Sequence, residues 1–239
     1  MSKLAMENKA INLSQGYPDF EADPTLISSV GKYMKLGFNQ YAPMAGVLRL
    51  RELISKKIFN NYNQYYNEND EITVTAGATQ AIFTTISALI HPNDEVIIFS
   101  PSFDCYQPAV ELNGGIPVFI EMESPDFNIN WITVEENISS KTRMIIINSP
   151  QNPLGTVMSK KDMSNLERIS VKHDLLILSD EVYEHLVYDN EKHFSICSFP
   201  KLFNRSVATF SFGKTFHVTG WKLGYVVAPK QIMAEIRKV

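Results

Sequence analysis

The stretch 211–225, SFGKTFHVTGWKLGY, places Lys214 in a Gly-Lys-Thr at the end of an apolar run. A lysine so placed has three chemistries open to it. It can sit in a loop that wraps a phosphate chain, it can condense with an aldehyde cofactor, or it can be a solvated surface cation. The phosphate loop needs a glycine five residues before the Gly-Lys pair, so that backbone N–H groups can curl around the anion. Ala208 stands there, and the intervening TFSF has no glycine and reads as a strand. Aldehyde condensation demands more: the amine must be held at a strand end with its acidity tuned by its surroundings.

Pyridoxal 5′-phosphate is the aldehyde cofactor whose site is most easily refuted. It needs an acid facing the ring nitrogen, donors to the ring oxygen, an anion site for the phosphate and a flat group over the ring. In a doubly wound sheet all of these sit at the carboxyl ends of strands. LLILSDEVY places Asp180 and Tyr183 just past one apolar run, and INSPQNPLG places Asn152 past another, in a Pro-rich turn. TAGATQAI passes through Gly77, Ala78 and Thr79 into a helical segment, where free N–H groups and the positive end of the dipole suit a phosphate. SPSF leaves Phe103 beyond a run as a candidate stacking partner. VATFSF ends at Ser211, three residues before Lys214, and Lys222 follows in GWKLGY. Singly, each residue has a plain explanation: a helix cap, a turn, core aromatics, a solvated lysine. Together, at five run ends in one chain, those explanations fail.

The elements that must position these residues are legible. Apolar runs at 72–77, 95–101, 116–122, 143–150, 175–181, 207–212 and 224–229 are rich in Val and Ile and mostly unalternating, as strands covered on both faces are. Helical segments at 79–91 and 159–174 fall between them. The pattern predicts an α/β fold, a three-layer α/β/α arrangement on a mostly parallel seven-stranded sheet. Residues 72–229 form the predicted cofactor-binding large domain. Residues 1–71 are read as an N-terminal segment and linking helix: an extended opening at 11–20, a helix at 48–62 and a polar link at 60–71. Residues 230–239 begin one more helix. Cys105, Cys197 and the histidines are assigned to packing or surface, and Trp131 and Trp221 to packing.

The totals bound the class. The chain has 239 residues, 44% apolar and 20% charged, with a formal net charge of −4. That balance opposes nucleic-acid binding, which needs a concentrated basic surface. No apolar run is long enough to span a membrane, and the charged opening MSKLAMENKA has no signal-peptide core. Two cysteines suggest no disulfide framework, and neither they nor the five histidines show metal-ligand spacing, so no metal is expected and a cytoplasmic setting is.

The ordered set GAT, PSF, NPLGT, SDEVYEH, SFGKT and TGWKLGY, preceded by INLSQGYPDF and NQYAPMAGVLRLRE, resembles the class I pyridoxal-phosphate aminotransferases of fold type I. The likeness runs from about residue 10 to the end. It is greatest for the methionine and kynurenine aminotransferase group. The resemblance implies that Lys214 is the Schiff-base lysine, which then shuttles a proton between the substrate α-carbon and C4′ of the cofactor. It implies that Asp180 pairs with the ring nitrogen, that Asn152 and Tyr183 donate to the ring oxygen, and that Phe103 stacks on the ring. Ser211, Lys222 and the turn at Gly77, Ala78 and Thr79 correspond to the phosphate cup; many relatives carry arginine where Lys222 stands. Gly16 and Asn152 correspond to substrate contacts, and Tyr41 to a tyrosine that reaches the partner's phosphate site in a homodimer. The implied reaction moves an amino group from methionine or another large neutral or aromatic amino acid to a 2-oxo acid.

Family members continue through an interdomain helix into a small C-terminal domain that supplies an arginine for the substrate carboxylate, and they carry an N-terminal arm. Against that pattern this chain reads as shortened at both ends. Four expectations follow: an aminotransferase impaired by the shortening, an enzyme completed by a second polypeptide, a non-catalytic cofactor-binding fragment, or a carbon–sulfur β-lyase on the same scaffold.

Overall fold

Each of the seven apolar runs becomes a strand of one sheet: β1 (Ile72–Thr75), β2 (Glu95–Ser100), β3 (Ile116–Glu121), β4 (Thr142–Asn148), β5 (Leu176–Asp180), β6 (Ser206–Ser211) and β7 (Gly224–Val227). The structure is a computed structural model that describes residues 1–16 and 18–239; Tyr17, in the expected extended opening segment, lies outside the described residues. The spatial order is β1-β7-β6-β5-β4-β2-β3, and β7 runs antiparallel to both of its neighbours while the other pairs are parallel.

The helices are α1 (Ser2–Glu7), α2 (Pro24–Lys35), α3 (Leu48–Tyr62), α4 (Ala78–Leu89), α5 (Tyr106–Leu112), α6 (Trp131–Glu136), α7 (Lys160–Lys172), α8 (Phe212–Thr215) and α9 (Lys230–Ile236). Side chains alternate across the sheet. Val96 and Ile98 therefore join the core under α4, α5 and α9, while Ile97 and Phe99 join the core under α3, α6 and α7. Covering on both faces is why the strands read as unbroken apolar runs. Helix α7 begins with a capping box: Ser159 and Asp162 satisfy each other's backbone N–H groups.

The chain divides into two compact units, Met1–Gln40 and Tyr41–Val239. The smaller holds α1 and α2, the latter capped by Asp23, whose carboxylate accepts from the N–H groups of Thr25 and Leu26. Composition put the break at residue 71; the observed break is earlier because Ile54 and Ile58 of α3 enter the same core as Ile72. The polar link 60–71 also carries a core residue. Tyr66 is buried at 1% exposure, and its carbonyl accepts from the Ser55 hydroxyl at 2.6 Å. Trp131 packs as expected, with its indole N–H donated to Asp162, whereas Trp221 is 39% exposed.

One feature of the topology sets up a site. From β2 the chain crosses outward to β3, and its next strand, β4, lies on the other side of β2. The crossovers part at the gap between β2 and β4, and ligands of open α/β sheets settle outside the carboxyl ends at such a switch point. The β2–β4 pairing runs only to Ile98 and Ile146. Beyond it lies a cavity of about 480 Å³, whose lining includes Tyr106, Asn148, Gln151, Met122, Phe127 and Met158.

Candidate active site

Asp180 ends β5 and is buried. Its Oδ2 accepts from the Tyr106 hydroxyl at 2.6 Å, and its Oδ1 from the Val182 N–H at 3.3 Å. Burial pushes the carboxyl up to about 6, against the pull of those two hydrogen bonds and of the Lys214 charge. Its backbone carbonyl is held too, accepting from the Asn148 amide at 2.9 Å and the Ser149 N–H at 3.2 Å.

Lys214 stands in α8, immediately beyond β6, the strand paired with β5. Ser211 caps that short helix, its hydroxyl accepting from the Lys214 backbone N–H at 3.2 Å. The Lys214 Nζ lies 5.3 Å from the centre of the Tyr183 ring. Amine, phenol and carboxyl thus come together at the carboxyl ends of two adjacent strands.

A second group forms around Gly224. The register places Thr75, Gly224 and Ser211 side by side across β1, β7 and β6. A Cβ on Gly224 would lie 2.7 Å from the Ala78 nitrogen and 2.8 Å from the Gly77 carbonyl carbon, so the start of α4 rests directly on the sheet there. Gly77 takes φ +80°, which favours glycine. Helix α4 starts without a side-chain cap among the described residues, which leaves its positive end to other partners. The backbone carbon of Lys222 is 4.0 Å from the position of a Cβ on Gly77. Lys222 itself is exposed with φ 56°. Gly77, Ala78, Thr79, Ser211 and Lys222 therefore converge.

Phe103 follows β2, half-buried, its ring centre 5.8 Å from that of Tyr106 in an edge-to-face contact. Asn152 follows β4, and its backbone N–H donates to the Asn148 side chain at 2.7 Å. Tyr41 is fully exposed at the start of the larger unit. Gly16 belongs to the smaller unit and is exposed.

Two residues at this site escaped sequence reasoning. Tyr106 reaches Asp180, and Asn148 ties Asn152 to the Asp180 carbonyl. Tyr106 had a signal: in SPSFDCYQP it lies three residues after Phe103, on the same side of a turn. Asn148 had only its place as the last residue of β4.

Comparison with known proteins gives one answer. A family model described as aminotransferase class I and II matches residues 8–239. The methionine aminotransferase of Escherichia coli strain K12 is 46% identical over 239 residues, covering all of this chain and 62% of that protein. The kynurenine–oxoglutarate transaminase 3 of Rattus norvegicus is 37% identical over 249 residues, again over the whole chain and 55% of its own length. A solved Escherichia coli structure described as having a methionine aminotransferase function matches with a TM-score of 0.97 at 45% identity, covering 100% of this chain and 63% of that one. The chain thus spans about three fifths of the length of such relatives.

Proposed function

The chain belongs to the class I and II aminotransferases, and from that premise we propose that it forms the cofactor-holding part of an enzyme that moves an amino group from methionine, or another large neutral or aromatic amino acid, to a 2-oxo acid. The family depends on pyridoxal 5′-phosphate. The residues present fit that group: an amine, a buried acid, a phenol, an amide and an uncapped helix start are the donors and charges it requires. When bound, the cofactor supplies an aldehyde for the amine and a ring that draws electrons from the adjoining carbon.

In this reading Lys214 would hold the cofactor through its Nζ and would carry the proton between the substrate α-carbon and C4′. Asp180 faces the ring nitrogen. A carboxyl that burial has pushed up to about 6 regains its ionised form beside a cation, so it holds the ring nitrogen protonated. The Tyr183 hydroxyl and the Asn152 amide would donate to the ring oxygen, and Phe103 would cover the ring. The N–H groups of Ala78 and Thr79, the Ser211 hydroxyl and the Lys222 ammonium bind the phosphate. Gly16 and Asn152 serve the substrate. Tyr41, fully exposed on its own unit, reaches the phosphate of a second copy in a homodimer.

The observation that carries this reading is the meeting of Lys214, Tyr183 and Asp180 at the ends of β5 and β6. The preference for methionine is supported by the Escherichia coli relative. The test is an absorbance titration of the purified chain with pyridoxal phosphate, before and after methionine, beside Lys214→Ala. A lysine-dependent visible band that methionine discharges, with release of the 2-oxo acid, is the expected result. A band in the Lys214→Ala chain equal to that of the wild type would overturn the assignment of Lys214. Ammonia released in place of amino transfer would move the chemistry to elimination.

A further inference from the structure

We propose that Lys57 is a positioning residue for this site, joining the loop that carries Tyr183 to the aromatic stack behind Lys214. The inference rests on the reading that Tyr183 and Lys214 face the cofactor. Lys57 projects from α3, far from both in sequence. Its ammonium donates to the Glu184 carboxylate and, at 2.9 Å, to the Tyr225 hydroxyl. It also lies 4.7 Å from the centre of the Phe210 ring and within 6 Å of the centres of Tyr62 and Tyr225.

The two sides of this cation lead to the two walls of the site. On one side, Glu184 is the residue after Tyr183; its side chain is 3% exposed and also accepts from the Tyr62 hydroxyl at 2.5 Å. On the other side, Tyr225 stacks on Phe210 at 4.8 Å and contacts Phe212 at 5.0 Å, and Phe212 opens the helix that bears Lys214. The loop is also pinned upstream of Tyr183, where Glu181 accepts from Ser179, from the Ile196 N–H and from His193. Tyr183 is therefore fixed from both flanks, with its ring 5.3 Å from the Lys214 Nζ.

A buried ion pair adds little net stability compared with well-packed apolar side chains. Its distinct contribution is direction: charge-assisted hydrogen bonds hold a loop more narrowly than apolar contact does. That difference defines the experiment. The double variant Lys57→Met/Glu184→Leu removes both charges and leaves neither orphaned. Thermal unfolding, the 13C-tyrosine NMR signal of Tyr183 in the cofactor-free chain (assigned with Tyr183→Phe) and pyridoxal phosphate affinity are measured together.

The double variant is expected to fold with a lowered unfolding midpoint, because the Tyr62 and Tyr225 hydroxyls lose their partners, to shift or broaden the Tyr183 signal, and to bind the cofactor about tenfold more weakly. Should it fail to fold, Tyr62→Phe, which deletes one hydroxyl, is expected to move the same signal in the same direction. A folded variant whose Tyr183 signal and cofactor affinity equal those of the wild type overturns the proposal. A wild-type chain that takes up no cofactor overturns the reading of function instead, and the Tyr183 signal still decides the role of Lys57.

Discussion

The Tyr106 hydroxyl donates a 2.6 Å hydrogen bond to Oδ2 of Asp180, across 74 residues of sequence. Hydrogen bonds to charged groups contribute about 1.5–3 kcal/mol, and a buried acceptor left unmatched loses that support. Tyr106→Phe is expected to raise the Asp180 carboxyl further and to weaken pyridoxal phosphate binding by about tenfold or more. An absorbance titration reads this directly; unchanged affinity would mean that Tyr106 only fills space.

Asp180 itself makes the cofactor-free chain sensitive to pH. Its carboxyl rises from an ordinary 3.8 to about 6, so the folded chain holds that proton more tightly than the unfolded one. Ionisation then costs stability, on the order of 3 kcal/mol, a contribution lost as pH climbs from about 4 to about 6. Asp180→Asn removes the cost. Its stability relative to wild type should therefore be higher at neutral pH than at about pH 4, as measured by urea unfolding at both. A difference that does not change with pH would rule out the raised carboxyl.

His193 and Glu181 form a buried pair at 2.9 Å. Burial alone would depress the histidine, but the Glu181 hydrogen bond and the charges of Glu181 and Glu184 outweigh it and Lys57, and the imidazole is raised above 6.5. Glu181, penalised by burial, is still lowered below 4.5, chiefly by His193. The stability from histidine is full below 6.5 and lost as pH rises through its raised value. That from Glu181 is full above 4.5 and lost as pH falls. Removing one partner of a buried pair costs about 3–5 kcal/mol. His193→Gln should cost most between the two ordinary values and less in alkali, which denaturation midpoints across that range will show.

Gly224→Ala tests the seat of α4. The added Cβ meets only backbone: the Ala78 nitrogen and the Phe210 carbonyl oxygen, both at 2.7 Å, and Gly77 at 2.8 Å. Backbone cannot swing aside as a side chain does, so the helix start must lift. A cost of about 1–3 kcal/mol is expected, with loss of phosphate affinity as well as of melting temperature. Loss of stability with full affinity would separate Gly224 from the anion site.

Ser159→Ala removes half of the capping box of α7. It should cost about 1 kcal/mol in urea unfolding. Ser159 lines the cavity beyond β2 and β4 but is not among the proposed cofactor contacts, so binding should stay as in the wild type, and a change there would show that this wall of the cavity bears on the site.

Local sequence determined the strands and the chemistry at their ends. Runs such as RMIIIN and LLILSD carry apolar residues toward both faces, so the placement of Asn152, Asp180, Tyr183, Ser211 and Lys214 at or just beyond strand ends is legible without coordinates. Tertiary structure decided what no local pattern encodes: that β7 runs antiparallel between β1 and β6, that Gly224 seats the start of α4, and that Tyr66 in a polar stretch is core. It also joined Tyr106 to Asp180 and Lys57 to Glu184, residues 74 and 127 apart. The reason is physical. Periodicity reports which face of an element is buried, whereas contact between distant side chains depends on which strands pair and in what register.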